Sequence, residues 1–314
     1  MIITLRHIAL STCAIGLLLL AFADCSAQMR VPNLGGHRFI PSESNGDPFV
    51  NTHVVSQVGI GSATNLEFPL FEFNGDTLFA PRGNLLLAVL RFDYQQRIKK
   101  WLGVRASFST VGRLGTDAGS LLAAGVTAST DLRFEWLVNV MQNDRSALSA
   151  IVGYRNATAT VVDVFSFVED VIDGEDAKLV DSIPSVQVLG GVRYAYGFSS
   201  LFGIKLSGII LYGDKRQVRV SEPEVNYEFG LSLSLDPREK LGFPIGVLAS
   251  YSLRTLTIGK DEGDSDSMQL ELKFDYTKPN DFSIGPAITW SRSPGLYQTS
   301  ITILQVAISS RYYF

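Results

Sequence analysis

The sequence has very little cysteine and histidine. Its two cysteines, Cys13 and Cys25, both lie close to the N-terminus of the 314-residue chain, and only three histidines are present. A disulfide or a thiolate-bound metal is therefore excluded from everything after Cys25. The formal net charge of −4 argues against a nucleic-acid partner, since such partners require a basic surface. We expect no cofactor and no metal site.

Long apolar runs are missing beyond the N-terminus. Residues 1–27 contain a short basic start, an apolar run over 8–23 and small residues before Gln28, which predicts a secretory signal peptide. A lipoprotein signal at Cys25 is the alternative, and Asp24 before it disfavours lipidation. No later stretch is long enough for a membrane-spanning helix. A membrane-embedded form would therefore have to be a closed barrel, which also satisfies every backbone hydrogen bond.

The rest of the chain contains many segments of alternating polarity. In one of them Tyr227 and Phe229 lie on one face, whereas Asn226 and Glu228 lie on the other. A period of two residues with one apolar face is typical of β-strands. The pattern predicts twelve strands, near 50–63, 84–97, 101–112, 128–142, 146–157, 185–197, 201–213, 225–236, 243–258, 267–277, 281–292 and 297–314.

The links between these strands alternate in length, with one exception at 293–296. Short links are predicted at 97–100, 142–145, 197–200, 237–242 and 278–280, and the links between them are longer. Short periplasmic turns alternating with longer external loops characterise outer-membrane barrels. We therefore predict an all-β, transmembrane, antiparallel up-and-down β-barrel of about 12 strands. Its parts would be a signal peptide at 1–27, a periplasmic N-terminal segment at 28–49 and the barrel at 50–314. A secreted β-sandwich is the alternative, although its strands would usually be shorter.

The C-terminal strand carries the most specific pattern. Its alternate residues Val306, Ile308, Tyr312 and Phe314 are mostly apolar and end in aromatics. This ending, together with the signal and the turn pattern, resembles Gram-negative outer-membrane β-barrel proteins of the porin or transporter type. The resemblance implies a bacterial outer-membrane location, contact with its lipids and passive passage of small solutes. It also implies that the barrel assembly machinery reads Tyr312 and Phe314 as an assembly signal.

The polar faces of the strands would line the lumen of such a barrel. Charged side chains that point into lipid near the midplane cost about 2–4 kcal/mol for Arg or Lys, so we place them inward. The predicted lumen residues are Arg91, Asp93, Arg105, Arg133, Glu135, Arg193, Lys205, Glu228, Arg254, Glu271 and Lys273. Basic groups outnumber acidic ones, which predicts a channel with a mild anion bias. The alternative is an internal ion-pair network in a non-conducting barrel with a structural or surface-interaction role.

Two other segments leave alternatives open. Residues 28–48 are either a periplasmic lead-in or a short plug. The loop 158–184 has apolar residues at helical spacing, which suits a helix folded into the barrel mouth, or its first residues extend the flanking strand. Residues 119–139 are one long strand or a short helix followed by a strand.

Catalytic chemistry has weak support in the sequence. His53 lies on the predicted first strand with Ser56 and Ser62 nearby, and barrel hydrolases use Ser with His. An inward histidine is more often a polar lumen residue. We expect no enzymatic activity, with a barrel-embedded hydrolase as the least favoured hypothesis.

Overall fold

The chain folds into a barrel that contains its own N-terminal segment. The computed structural model describes residues 31–67, 71–73, 76–79, 82–114, 125–162, 167, 171–172, 174, 180–214, 223–255, 266–294 and 300–314. The predicted signal peptide and most of the candidate helix in loop 158–184 lie outside these residues.

Within the described residues the chain forms sixteen strands and one complete short helix, and residues 167, 171 and 172 in the predicted loop 158–184 are also helical. The strands are β1 (Asn33–Leu34), β2 (His37–Arg38), β3 (His53–Glu67), β4 (Phe71–Phe73), β5 (Asp76–Phe79), β6 (Arg82–Lys99), β7 (Leu102–Leu114), β8 (Gly125–Gln142), β9 (Ser146–Val162), β10 (Val180–Gly197), β11 (Phe202–Asp214), β12 (Pro223–Leu235), β13 (Ile245–Thr255), β14 (Asp266–Tyr276), β15 (Phe282–Pro294) and β16 (Ser300–Tyr313). The helix α1 (Arg238–Leu241) lies between β12 and β13.

Twelve of these strands close into one barrel, in the order β3, β6 and then β7 to β16. Every neighbouring pair is antiparallel, and β16 pairs with β3 to close the ring, with Tyr312 opposite Val54 and Val306 opposite Ile60. The predicted up-and-down barrel of twelve strands is thereby confirmed. Each predicted strand corresponds to one of these strands, with differences of a few residues at the ends.

The connections fall into two classes at the two ends of the barrel. At the end where β6 meets β7 and β8 meets β9, only a few residues separate the strands. Short turns mark the periplasmic end of such barrels, and longer loops mark the external end. β9 runs to Val162 and β10 begins at Val180, so both strands extend into the predicted loop 158–184. β8 begins at Gly125, and residues 115–124 lie outside the described part of the chain.

Side chains alternate between an apolar outer face and a polar inner face. Outward residues such as Val58, Ile60 and Phe92 are about half exposed, whereas inward neighbours such as Gln57 and Asp93 are buried. A closed barrel with an apolar outer surface satisfies the backbone internally and matches a lipid bilayer. Antiparallel barrels of this design span the bacterial outer membrane, which is where this chain belongs.

None of the helices in the described residues is long and apolar enough to span a bilayer.

Two small hairpins accompany the barrel. β1 and β2 pair through a two-residue turn in which Gly35 and Gly36 have φ angles of 60° and 82°. Positive φ at both central residues is the type I′ geometry, which glycine adopts without a steric penalty. β4 and β5 pair within the connection between β3 and β6.

Candidate functional site

The eleven predicted lumen residues all lie on the inward face of the barrel. Asp93, Arg105, Glu135, Arg193, Lys205, Glu271 and Lys273 are buried, and Arg91, Arg133, Glu228 and Arg254 are partly buried. A contact between non-adjacent strands brings two of these side chains together across the interior. Arg133 on β8 donates from Nη1 to Glu228 on β12 at 3.0 Å. Whether they line a conducting pore stays a prediction.

The inward charges around Glu135 form a shared network. Glu135 accepts contacts from three arginines, at 2.7 Å from Arg133 Nε, 2.8 Å from Arg193 Nη2 and 3.5 Å from Arg105 Nη1. Arg105 also forms an ion pair with Asp93. One carboxylate therefore serves several guanidinium groups.

Glu228 has the same role on the other side of the network. Its Oε1 lies 2.6 Å from Arg254 Nε and 3.9 Å from Arg155 Nη1, while its Oε2 contacts Arg133. Arg155 in turn pairs with Asp131. Buried charges are costly unless paired, so these contacts offset part of the desolvation of each arginine.

Residues 31–52, here called the plug, lie inside the barrel. The segment enters at the periplasmic turns, where Val31 N–H donates to the Asn280 carbonyl at 2.9 Å and Gly35 N–H to the Asp144 carbonyl at 2.5 Å. Side chains along it, including those of Phe39, Ile40 and Phe49, are almost completely buried. Of the two interpretations of this segment, the contacts correspond to the short plug.

Two acidic side chains tie the plug to inward bases of the wall. Glu43 Oε1 lies 2.9 Å from Lys273 Nζ, and Asp47 Oδ1 lies 2.6 Å from Lys205 Nζ. Asp47 also pairs with Arg311 of the last strand. Burial alone would raise the pKa of Glu43, but Lys273 and the nearby arginines outweigh it and lower the pKa to about 2. Both plug carboxylates are therefore ionised at neutral pH, since the same balance places the pKa of Asp47 well below its usual range.

Hydrogen bonds that involve hydroxyl, amide and carbonyl groups of the plug extend these attachments. Glu271 Oε2 accepts from the hydroxyls of Ser42 at 2.8 Å and Ser44 at 2.7 Å. The Asn45 amide donates to Ser232 Oγ at 3.0 Å, and Ser149 donates to the Pro48 carbonyl at 2.5 Å. The part of the plug from Ser42 to Pro48 is thus held by polar contacts to the wall.

A small apolar cluster secures the part of the plug nearest the periplasm. Phe39 packs against Phe49 with ring centroids 5.3 Å apart, and His37 meets the edge of Phe39 at 4.7 Å. Leu34 joins the same buried cluster. His37 Nε2 lies 3.0 Å from Ser234 Oγ. Burial of the imidazole lowers its pKa from 6.5 to about 4, so His37 is neutral at pH 7.

A cavity of about 130 Å³ lies on the external side of the plug tip. Its floor is formed by Ser44, Asn45 and Gly46. Its wall includes the arginines Arg91, Arg105, Arg133, Arg193 and Arg254, together with Glu228. Five arginines and one glutamate contribute to the lining of this chamber, which is our candidate functional site.

The predicted assembly residues lie at the periplasmic rim. Tyr312 points outward, and Phe314 stacks on it with ring centroids 5.9 Å apart. Phe314 also stacks on Tyr94 at 6.4 Å. Aromatic residues at a bilayer interface are typical of such barrels. Recognition of this ending by assembly machinery stays a prediction.

The weak catalytic hypothesis finds no geometric support. His53 is buried on the inward face and its Nδ1 lies 2.8 Å from Asn51 Oδ1, whereas Ser56 lies on the exposed outward face of the same strand. Ser62 shares the outward parity of Ser56, so neither serine meets His53. In the described residues, no three His, Cys, Asp or Glu side chains are grouped so as to hold a metal ion.

Comparisons with known proteins give likeness at the level of the barrel. No family model matches the chain, and no curated protein matches it. Among solved structures, an outer-membrane channel from Pseudomonas putida F1 is 11% identical with a TM-score of 0.48, covering 88% of this chain and 99% of that one. A Pseudomonas aeruginosa FadL homologue is 9% identical with a TM-score of 0.47, covering 91% and 99%. The translocator domain of the autotransporter NalP from Neisseria meningitidis is 12% identical with a TM-score of 0.46, covering 87% and 90%. Likenesses this weak carry no information about a substrate.

Proposed function

We propose that this chain is an outer-membrane channel for small solutes with a bias toward anions, and that the plug closes the channel in this structure. The observation that carries the proposal is the arginine-lined cavity above the tip of a plug that the wall holds by polar contacts. Rings of arginine and lysine favour anions over cations.

The width of the lumen supports a solute path. Small barrels fill their interiors with wall side chains alone, and larger ones leave a channel. This lumen accommodates wall side chains and also the main chain of residues 31–52, including Asn45 and Gly46 at the tip. A path for a small solute would therefore exist wherever that segment moves aside. A movement of the tip, residues 43–47, would exchange ion pairs and hydroxyl contacts for water and would leave the apolar cluster around Phe39 in place.

A non-conducting barrel with a structural or surface-interaction role is the second candidate. It is favoured by the same plug, since the periplasmic part of the lumen is filled by Phe39, Glu43 and Asp47 and their partners. The two candidates differ in whether the plug ever leaves the lumen.

A disulfide lock separates the two candidates. Ser44 Oγ and Ser250 Oγ lie 2.7 Å apart, so the two side chains point at each other, and cysteines at these positions need only a small shift to reach the S–S bond length of about 2.0 Å. The sequence has no cysteine after Cys25. The variant carrying Ser44→Cys and Ser250→Cys would tie the plug tip to β13. Single-channel currents would be recorded in planar bilayers for this variant, oxidised and reduced, and for the double variant Glu43→Gln, Asp47→Asn.

We expect the double variant to open more often than the wild type, with anion-selective current. The oxidised lock should be silent, and reduction should restore the wild-type record. The single variant Ser44→Cys controls for loss of the serine itself. Cleavage of residues 31–52 by added protease would show that the plug has been released in the double variant. If the double variant is then still silent, the channel is rejected and the non-conducting barrel is supported.

A further inference from the structure

We infer that the arginine chamber above the plug tip is a binding site for a small oxyanion with two negative charges, such as a phosphate group. The inference deepens the proposed function and rests on it, because it names the part of a solute that the channel would hold. Five strands contribute its arginines, Arg91, Arg105, Arg133, Arg193 and Arg254.

The first argument is charge. The network around the chamber joins six arginines, namely the five above and Arg155, to the carboxylates of Asp93, Asp131, Glu135 and Glu228. Arginine stays protonated, so two positive charges in this described network lack a carboxylate. Uncompensated buried charge is costly, and a dianion would neutralise it.

The second argument is the supply of free donors. Arg193 is 2% exposed, and its Nε and Nη1 have no hydrogen-bond partner, although its Nη2 contacts Glu135. Arg133 Nη2 and Arg91 Nε are likewise buried without a partner. Buried polar groups in folded proteins are nearly always hydrogen-bonded, so several unfilled guanidinium donors around one cavity indicate a missing acceptor.

The third argument is shape. The guanidinium group presents a planar fork of donors that matches the oxygens of phosphate, sulfate or carboxylate. The cavity of about 130 Å³ accommodates several water molecules or one small oxyanion. Gly46 on its floor packs against Arg193, and an added Cβ there would lie 2.4 Å from Arg193 Cζ, so the absence of a side chain leaves room for the guanidinium group beside the plug tip. The site thus combines charge, donors and room for a tetrahedral oxyanion.

Equilibrium titration of the purified full-length barrel in detergent with inorganic phosphate tests the inference, by calorimetry at constant ionic strength. We expect saturable binding by the wild type and a loss of about tenfold to a hundredfold in affinity for Arg193→Gln and for Arg133→Gln, because each removes charge-assisted hydrogen bonds. Glu135 keeps two arginine partners in the first variant, which favours folding. Arg145→Gln, which removes the same charge from an exposed periplasmic turn, is the matched control and should bind as the wild type does.

Parallel titrations with sulfate, with a sugar phosphate and with chloride identify the source of the oxyanion. Tighter binding of a sugar phosphate than of free phosphate indicates a phosphorylated solute, and the reverse order indicates phosphate itself. Arg193→Lys, which keeps the charge without the fork, should bind with intermediate affinity, and circular dichroism checks that each variant is folded. Equal phosphate affinity in Arg193→Gln and Arg145→Gln, or no binding by the wild type, overturns the site. Phosphate binding without current supports the site and rejects the channel, whereas current without binding rejects the site alone.

Discussion

The two parts of the lumen balance their charges in different ways. Near the periplasmic end, Lys273 meets Glu43, and Lys205 and Arg311 meet Asp47, so each of these wall bases contacts a carboxylate supplied by the plug. On the external side of the plug tip, the wall arginines contact carboxylates that the wall strands themselves supply. The difference teaches that the N-terminal segment serves as a counter-charge for the lower lumen. It meets the upper arginines with the Glu43 carbonyl, which accepts from Arg91, and with Gly46, and not with a carboxylate.

In the upper part of the lumen, several arginines share each carboxylate, whereas each base of the lower part has a plug carboxylate as partner. Glu135 and Glu228 each contact three arginines, and nitrogens of Arg133 and Arg193 remain without a hydrogen bond. A fixed wall cannot easily place more acids there without closing the cavity. The upper part is therefore suited to an anion that binds and leaves, whereas the lower part is neutralised by the carboxylates of the plug, which belong to the chain.

Replacing Asp47 with alanine should have the largest effect on this contrast. Lys205 and Arg311 would both lose their plug carboxylate, and removal of one partner from a buried ion pair costs about 3–5 kcal/mol. The measurement is the free energy of unfolding in urea with the barrel inserted in lipid vesicles. Asp144→Ala removes an acid from an exposed turn and should change that free energy by no more than about 0.5 kcal/mol. Equal losses in the two variants would show that the lower lumen does not depend on the plug for its charge balance.

The barrel was predictable from the sequence because its signals are local. An alternation such as Tyr227 and Phe229 against Asn226 and Glu228 needs only a period of two, and turn lengths set the strand count. The sorting of charges to the inward face followed from the cost of placing them in lipid. These rules apply one strand at a time and do not require the shape of the lumen.

The plug contacts could not be predicted in that way. Residues 31–52 have no strong periodicity, and their partners are set by barrel diameter and by which wall residues share a level. One signal was available: the inward bases outnumber the inward acids, and Glu43 and Asp47 lie in the short segment before the first strand. A surplus of buried positive charge predicts acids from elsewhere in the chain. The pairing of Asp47 with Lys205 and Arg311 still required coordinates.

Acidification should weaken the attachment of the plug through His37, with a smaller effect. The folded state lowers the pKa of this imidazole from 6.5 to about 4, so between those pH values the unfolded chain binds a proton that the folded chain does not. Stability contributed by neutral His37 is therefore present above pH 6.5 and is lost as pH falls toward 4, by at most about 1.4 kcal/mol per pH unit. Unfolding free energies measured between pH 7 and 4 should show a shallower slope for His37→Gln than for the wild type. Parallel slopes would mean that the buried imidazole does not control plug docking between pH 7 and 4. The titration of Glu43 affects stability in a separate window, from about pH 4.5 to 2.

Gly46 lies where the plug tip meets the upper arginines, and Gly46→Ala should have the smallest effect of these changes on the free energy of unfolding. A Cβ at this position would lie 2.4 Å from Arg193 Cζ and 2.7 Å from Arg105 Nη1. Because these are ends of flexible side chains, the arginines can shift, and we expect a cost of about 1–3 kcal/mol in the free energy of unfolding. Gly112→Ala, where nothing lies within 4 Å of the added atom, is the matched control and should cost little. If the two variants lose the same free energy of unfolding, the plug tip does not press against the arginines. Gly46 would then not mark the boundary between the lower and the upper lumen.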